Sequence, residues 1–596
     1  MNQAVAAARS VPRPRSRGRM FALAGSAALV LASVGLFLVS RGKWSDAIID
    51  SGREWIVPDA LARGDLLYRD VVYWFGPFTP YFHAAFFKLF GSSFSTLVVA
   101  GVVGSIGVLA ALYFALTTVT GRREAALWTA LAVPALIFMP NAGGPILGMG
   151  YRIWHAAAFA LAAIGLAARP GESPRPVLRD LTVGALCALC GLCRTEWGLV
   201  AVAASCSVYL LRERSSRERL RAVFRTAASF LLLFGGVIAA FVAAAGWKAV
   251  IEDGHVLLTG LPAETRAFLI AFSGIRDWRN GVLEMLYSAA MWGGALVLLQ
   301  ILAIGRRSRA RVLRKLPLLA ILFLVLASTA VLGGAGGAVL FSAAPGICLA
   351  TVLLAVVKRD RSSAGLLGFG IAGVVLSYRR PFHIGDSAYV GPPLLFLFVC
   401  AAGLVRWVVD REDDVDTCER LRAYAAGAVI TLVVLGFAGR TLGYRGDERI
   451  TIPGTEGMLS ARPEVVAECT KLAGAVRRES RTHDSLVVFP EGEILNYLSG
   501  RPNPLRHKLY VPGYLSEKNE AELLAELGRS APSVIIVLDR TTQEYGTPTF
   551  GLTYGRRISD WIEENYRVRR FDRRKRSLFA VAKRELLGES PGTPLE

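Results

Sequence analysis

The chain has 596 residues, of which 53% are hydrophobic, and its mean hydropathy is +0.42. This composition excludes an ordinary soluble globular protein, and apolar runs with the length of a membrane-spanning helix recur along the sequence. The formal charge of +21 would suit a nucleic-acid-binding protein. The basic clusters, however, lie in short connections between apolar runs, which is the positive-inside pattern of membrane proteins and argues against nucleic acid as a partner.

The first forty residues predict a basic tail followed by a span. Residues 1–19 contain five arginines and no acid, and residues 20–40 are apolar. A cleaved signal peptide is the competing interpretation. The apolar run is too long for the core of a signal peptide, and Arg41 and Lys43 stand where a cleavage site needs small residues. We therefore expect a disordered cytoplasmic tail and a retained first span.

About thirteen apolar runs predict transmembrane helices. The predicted spans are 20–40, 93–118, 124–139, 152–168, 180–193, 197–211, 226–246, 284–304, 316–332, 338–357, 364–377, 391–410 and 423–438. The connections that face the cytoplasm in this arrangement are the basic ones, so charge supports both the number of spans and a cytoplasmic N-terminus. We expect a polytopic α-helical membrane protein with a transmembrane domain at 20–439.

Residues 440–596 have a different composition, with charges mixed among short apolar runs. Runs of strand type alternate with helical patterns, and this alternation predicts a small α/β domain. The strand-like runs are Leu486–Phe489, Val534–Leu538 and Leu578–Ala582. An odd number of spans places this domain outside the cytoplasm. No phosphate-binding glycine loop or nucleophile elbow occurs in it.

The first predicted outer loop, residues 41–92, carries two amphipathic patterns. Apolar residues recur at near-helical spacing from Ile48 to Leu61, and Gly64 can end such a helix. A second pattern covers 77–90. We expect both helices to lie at the membrane interface with their apolar sides in lipid.

Several charged side chains lie on the predicted outer face. Placing a charge at a membrane boundary costs free energy, so such residues are expected to be paired or functional. The candidate substrate-binding residues are Arg53, Glu54, Arg69, Asp70, His83, Arg152, Arg194, Glu196, Arg379, Arg380 and His383. Arginine offers a forked set of donors to a phosphate, and a carboxylate can take a proton from an attacking hydroxyl. Together these groups predict glycosyl transfer from a polyprenyl-phosphate sugar.

The stretch DSGREWIVPDALARGDLLYRDVVYWFGP, residues 50–77, resembles the first outer loop of bacterial GT-C glycosyltransferases. The similarity is greatest to the group related to protein mannosyltransferases and aminoarabinose transferases. The runs CRTEWG at 193–198 and VVFPEGEILNYLSGRPNP in the tail resemble other parts of these proteins. The resemblance implies a GT-C fold in the bacterial inner membrane, inverting transfer and Asp50 as the catalytic base.

The resemblance also implies the partners. They are a polyprenyl-phosphate-linked sugar donor, a glycan, lipid or protein acceptor, and membrane lipid. Many members of the superfamily have adjacent Asp and Glu residues, whereas here Ser51 follows Asp50 and the next acid is Glu54. We therefore assign no certain cofactor and no metal ligand, and a divalent cation stays an open question.

Structural roles compete with these assignments. Asp50 could stabilise a helix N-terminus, Asp70 could pair with Arg69, and His83 could be a packing histidine. The other structural alternatives are Glu54 paired with Arg53, Glu196 paired with Arg194, and Arg379 with Arg380 anchored at the interface. Two further functions also stay open. An O-antigen ligase or polymerase would place its main site late in the chain, and a lipid or saccharide transporter would show charges at mid-membrane depth.

Overall fold

The computed structural model of the protein describes most of the chain. It covers residues 15–582 with gaps at 141–142, 149, 170–174, 212–214, 253–278, 280–344, 359–360, 378–390, 411–414, 513–514, 516, 544–548 and 571–577. The predicted spans at 284–304 and 316–332 lie outside the described residues, as does the first part of the span at 338–357. Arg379, Arg380 and His383 lie outside them too.

The described residues up to Arg445 form a helical membrane region. Its helices are α1 (Arg15–Ser40), α2 (Gly52–Arg63), α3 (Phe78–Phe90), α4 (Phe94–Val119), α5 (Arg122–Ala132), α6 (Tyr151–Ala168), α7 (Pro176–Cys193), α8 (Thr195–Leu211), α9 (Ser216–Ala245), α10 (Pro345–Lys358), α11 (Arg361–Ser377), α12 (Gly391–Asp410) and α13 (Val415–Arg445). Six of the described helices, α1, α4, α6, α7, α9 and α13, are long and apolar enough to cross a membrane. The protein is thus a multi-pass membrane protein, as predicted.

The span predicted at 124–139 is interrupted in the structure. Helix α5 ends at Ala132, and a π-helical turn at Val133–Ile137 follows it. Pro134 has no N–H to donate, so the regular ladder cannot continue through this point. Helix α13 satisfies a carbonyl left over by the break, since Arg440 Nε donates to the Pro134 carbonyl at 3.0 Å.

Helices α7 and α8 form a tight pair, separated only by Arg194. A side chain at Gly198 would place its Cβ 2.5 Å from the Cα of Gly191, so the two backbones touch where both residues are glycine. Small residues allow helices in membranes to approach this closely. Close packing of the two backbones therefore holds α7 and α8 together, although the spans predicted for them are short.

The first loop packs into the protein. Gly64 ends α2 in the left-handed conformation, with φ +113°. The apolar side of α2 is buried, and Trp55 Nε1 donates to Ser92 Oγ at 3.0 Å. The ring of Trp55 also meets the edge of the Tyr497 ring at 5.1 Å. The expectation that this side of α2 lies in lipid is wrong, because the C-terminal region covers it.

The loop is also tied to the end of the last membrane helix. Lys43 Nζ donates to the carbonyls of Tyr444 at 2.8 Å and Asp447 at 2.7 Å. Arg449 Nη2 donates back to the Lys43 carbonyl at 2.7 Å. These bonds fix the start of the loop relative to the chain that enters the C-terminal region.

The region after Arg445 combines a sheet with short helices. Its elements are β1 (Ile450–Thr451), β2 (Ser460–Ala461), α14 (Pro463–Glu479), β3 (Leu486–Phe489), α15 (Ile494–Ser499), α16 (Glu517–Ser530), β4 (Val534–Val537), α17 (Arg556–Asn565), β5 (Tyr566–Arg570) and β6 (Leu578–Ala582). The four-stranded sheet has the order β3-β4-β6-β5. Strands β3 and β4 are parallel and the other pairs are antiparallel. The loop after β3 therefore leaves the sheet beside the loop after β4.

Candidate active site

Asp50 lies in a π-helical turn, Ala47–Ser51, directly before α2. The side chain of Asp46 caps this turn by accepting two backbone N–H groups at 2.9 and 2.8 Å. Asp50 is buried, and its Oδ1 lies 3.1 Å from Arg53 Nη2, one turn further on. The turn thus holds the predicted catalytic carboxylate in a fixed position beside a guanidinium group.

A second ion pair lies next to the first. Arg152 Nη1, in the first turn of α6, is 3.3 Å from Glu54 Oε1, and both side chains are buried. Burial raises the pKa of Glu54 to about 7, and the charge of Arg152 opposes that rise. Glu54 therefore gains or loses its proton near neutral pH, and its ionised form is the one that pairs with Arg152.

Phe75 gathers two of the predicted arginines. The Cζ atoms of Arg152 and Arg194 lie 3.7 and 5.3 Å from the centre of its ring. The neighbouring Gly76 fits only without a side chain, since a Cβ there would lie 1.9 Å from the Leu192 carbonyl oxygen. The loop is therefore in close contact with the end of α7, and both guanidinium groups lie against the same aromatic ring.

Arg194 also pairs with Glu196, and the carboxylate of that residue is about half exposed, at 48%. This ion pair is the structural alternative to a substrate-binding role that the sequence left open for Glu196. The guanidinium group of Arg194 is itself mostly buried, with 12% of the side chain exposed. Arg194 thus reaches the Phe75 cluster while Glu196 faces outward.

The C-terminal region adds charged groups that sequence reasoning missed. Glu491 Oε1, in the loop after β3, is 4.0 Å from Arg53 Nη1. Its other oxygen, Oε2, is 2.7 Å from Arg540 Nε, in the loop after β4. The only signal in the sequence was the FPEGE run, which resembled the outer domain of GT-C proteins as a stretch but did not single out a residue.

Close backbone contact joins these two parts of the site. A Cβ at Gly52 would lie 2.3 Å from the backbone nitrogen of Ile494, so only glycine fits there. The neighbouring Glu493 is fully buried, and burial together with the charge of Glu491 raises its pKa to about 8. Glu493 is therefore mostly protonated at neutral pH.

Arg69 and Asp70 form a separate pair at the other end of the loop. Arg69 Nη2 lies 2.8 Å from Asp70 Oδ2, and that carboxylate also accepts the backbone N–H of Leu66 at 2.8 Å. The hydrogen bond from Arg69 is the main cause that lowers the pKa of Asp70. Arg506 of the C-terminal region donates to the Tyr68 carbonyl at 2.7 Å. The pair orders its end of the loop, and the backbone carbonyl next to it accepts the bond that docks the loop on the C-terminal region.

His83 is packed among aromatic rings in α3. Its ring centre lies 4.4 Å from that of Tyr151 and 5.9 Å from that of His155. Burial lowers the pKa of His83 well below its ordinary value, so the ring is neutral. His155 Nδ1 shares a hydrogen bond of 3.0 Å with Thr79 Oγ1. These surroundings favour the packing role that the sequence left open for His83.

No group of three or more His, Cys, Asp or Glu side chains in the described part of the chain is arranged to hold a metal ion. Asp50 and Glu54 each face an arginine instead. In the described residues the charges of these two carboxylates are therefore met by guanidinium groups.

A large cavity opens beside the site, with a volume of about 1110 Å³. The first loop, the end of α13 and the C-terminal region line it together. The lining residues that flank the site are Ile48, Ile49 and Arg540. Pockets that bind organic ligands have volumes of roughly 300–1,000 Å³, so this space is large enough for a saccharide.

Comparison with known proteins gives likenesses in structure alone. No protein-family model matches the chain, and no curated protein matches it in sequence. ArnT from Cupriavidus metallidurans in the apo state superposes with a TM-score of 0.53 at 13% identity, over 95% of this chain and 99% of that one. The same protein bound to undecaprenyl phosphate gives a TM-score of 0.50 at 13% identity, over 94% and 99% of the two chains.

The oligosaccharyltransferase of Archaeoglobus fulgidus, in a complex with Zn and sulfate, gives a TM-score of 0.49 at 12% identity, over 94% of this chain and 73% of that one. That value is too low to support an argument. Identities in this range show a common fold and leave the substrate open. The chain shares the fold of ArnT over nearly its full length, which agrees with the GT-C fold expected from its first loop.

Proposed function

We propose that the protein is a GT-C glycosyltransferase that moves a sugar from a polyprenyl-phosphate carrier to an acceptor hydroxyl on the outer face of the membrane. The observation that supports this most directly is the position of Asp50. It is a buried carboxylate beside a guanidinium group, at the junction of the membrane helices and the C-terminal region. The basic cytoplasmic connections support the outward orientation of this junction.

Asp50 acts as the general base. Its carboxylate takes the proton of the acceptor hydroxyl as the oxygen attacks the anomeric carbon of the donor. The carrier phosphate leaves from the opposite side of the sugar, so the configuration at that carbon inverts. The hydrogen bond from Arg53 at 3.1 Å orients the carboxylate and favours its charged form.

The arginines of the site receive the departing phosphate. Arg53, Arg152 and Arg194 lie around the first loop, and Arg152 is held in place by Glu54 at 3.3 Å. Their forked donors stabilise the negative charge that grows on the leaving oxygen, where little water competes. The ArnT structure with undecaprenyl phosphate supports a carrier of this class. The acceptor is a hydroxyl of a glycan, a lipid or a protein.

A transfer assay tests this function. The full-length protein in lipid nanodiscs is given a panel of polyprenyl-phosphate sugars, and release of the polyprenyl phosphate is measured with glycan, lipid and peptide acceptors. We expect the wild-type protein to consume at least one donor and the Asp50→Asn protein to lose that turnover. The Asp65→Asn protein, with the same change in the same loop, serves as the control. Full turnover by Asp50→Asn, or no donor consumed by the wild type, would overturn the proposal.

A further inference from the structure

We propose that Glu491 and Arg540 are positioning residues that set the basicity of Asp50 through Arg53. This inference rests on the proposed function, in which Asp50 is the base. The four side chains form a continuous chain of alternating charge across the junction between the first loop and the C-terminal region. The distances along it are 2.7 Å from Arg540 to Glu491, 4.0 Å from Glu491 to Arg53, and 3.1 Å from Arg53 to Asp50.

Arg53 stands between two carboxylates. Its Nη2 faces Asp50 and its Nη1 faces Glu491, so the two anions share one guanidinium group. The more strongly Glu491 draws Arg53, the less that arginine stabilises the charge of Asp50. Arg540 in turn neutralises part of the charge of Glu491. The C-terminal region therefore controls how much positive charge the base feels.

Because these charges are buried, their electrostatic interactions are strong. The side chain of Glu491 is 0% exposed, and those of Asp50 and Arg53 are 11% and 19% exposed. Salt and water screen buried charges far less than surface charges. A change of one unit of charge on Glu491 or Arg540 should therefore reach Asp50 with little loss.

Other charged groups surround the Asp50–Arg53 pair. Glu54 of α2 interacts with Asp50 and pairs with Arg152 of α6, Glu493 of the C-terminal loop interacts with Arg53, and Asp46 caps the same turn. The raised pKa values of Glu54, about 7, and Glu493, about 8, leave both carboxyls largely neutral below pH 7. Arg152 stays charged over the same range in the wild type and in both variants, so it adds a constant contribution to the field at Asp50.

The two links of the chain predict shifts of opposite sign. Glu491→Gln removes an anion that competes with Asp50 for Arg53, so the pKa of Asp50 falls. Arg540→Gln removes a cation and strengthens the pull of Glu491 on Arg53, so the pKa of Asp50 rises. Each shift should be on the order of one pH unit for unit charges at this range inside a protein. A role limited to folding would not move the pKa in opposite directions.

The titration is read directly at residue 50. The full-length protein in nanodiscs is treated across a pH series with a water-soluble carbodiimide and an amine, which label protonated carboxyls. Mass spectrometry of the peptide that contains Asp50 gives the midpoint. The variants are Glu491→Gln and Arg540→Gln, with Glu491→Asp and Arg540→Lys as conservative rescues. Glu479→Gln is the control, because Glu479 forms a surface pair with Arg569 in the same region.

We expect the midpoint to fall in Glu491→Gln, to rise in Arg540→Gln, and to stay near the wild-type value in the rescues and the control. Unchanged midpoints, or shifts of the same sign, would overturn the inference. If Glu491→Gln does not yield a monodisperse protein, Arg540→Gln is compared with Arg540→Lys. A midpoint that rises in Arg540→Gln alone supports the inference. Any other result overturns it.

The labelling requires no turnover, so the two proposals can fail separately. Opposite shifts without sugar transfer by any donor would remove the proposed function and keep the electrostatic coupling. Sugar transfer with unmoved midpoints would remove only the coupling. Where both hold, the acidic limb of the pH profile of kcat/KM should move with the midpoint in each variant.

Discussion

Two of the aspartate–arginine pairs in the loop between α1 and α4 have different surroundings. Asp50 and Arg53 are 3.1 Å apart with 11% and 19% of their side chains exposed. Asp70 and Arg69 are 2.8 Å apart with 34% and 56% exposed. The first pair continues into a buried carboxylate of the C-terminal region, Glu491, whereas Asp70 accepts hydrogen bonds from Arg69 and from the backbone of Leu66 in its own loop. Equal chemistry in one loop thus gives two different electrostatic environments.

The difference in burial suggests different roles for the two aspartate–arginine pairs. An exposed pair contributes about 0–1 kcal/mol to stability, because water and salt screen it. Buried charges cost several kcal/mol of desolvation, which their pairing only partly returns. Perturbed charged groups cluster at functional sites, and the buried pair is therefore the one we propose for catalysis.

Replacement of Asp50 by Asn should give the largest effect. Loss of a general base lowers turnover by roughly 10²–10⁴-fold, while donor affinity should change much less. The measurement is kcat and KM for polyprenyl-phosphate sugar in nanodiscs, beside Asp65→Asn. A variant that loses donor affinity and keeps kcat would show that the buried pair binds and does not catalyse.

The pH dependence of stability should identify Glu54. Because its pKa in the folded protein is about 7 against an ordinary 4.5, the folded state binds the proton more tightly than the unfolded state. The resulting stabilisation is complete below pH 4.5 and is lost as the pH rises through 7. The shift corresponds to about 3 kcal/mol.

Thermal melting of the wild type and of Glu54→Gln between pH 4.5 and 8 tests this prediction. The melting temperature of the wild type should fall with rising pH more steeply than that of the variant. Parallel curves would mean that Glu54 is not the group that titrates. Glu124→Gln, which changes a half-exposed carboxylate on α5, gives the control curve.

A methyl group at residue 52 should separate the first loop from the C-terminal region without altering a charge. The Cβ of Gly52→Ala would meet the backbone of Ile494, and overpacking of this kind costs about 1–3 kcal/mol. We expect a lower melting temperature and lower turnover. Gly107→Ala, on α4, where a Cβ meets nothing within 4 Å, should behave as the wild type. If both variants have the melting temperature and turnover of the wild type, the junction can shift to accept the methyl group at little cost.

Replacement of Asp70 by Asn should give the smallest effect. The exposed pair contributes at most about 1 kcal/mol, so the melting temperature should change little and kcat/KM should stay within roughly threefold of the wild type. The same assays measure both quantities. A large rise in KM for the donor would instead support the binding role that the sequence proposed for Arg69 and Asp70.

The sequence predicted much of the fold. Apolar runs located α1, α4, α6 and α13, and the first loop suggested Asp50 as the base, which stays a prediction. The burial of α2 was not predicted, because a helix with one apolar side packs equally well on lipid or on protein. Glu491 and Arg540 were missed because a single charged residue in a loop has no periodicity that would mark it.

By itself the sequence indicated that the chain crosses the membrane many times, and it predicted which way its connections face. Those properties are local, since a bilayer imposes a length on each apolar run and the charges beside it set the orientation. Only the tertiary structure decided which acid–arginine pair is buried and what lies against it. Burial and the field of distant charges depend on parts of the chain far apart in sequence, which meet at Gly52 and Glu491 only after folding.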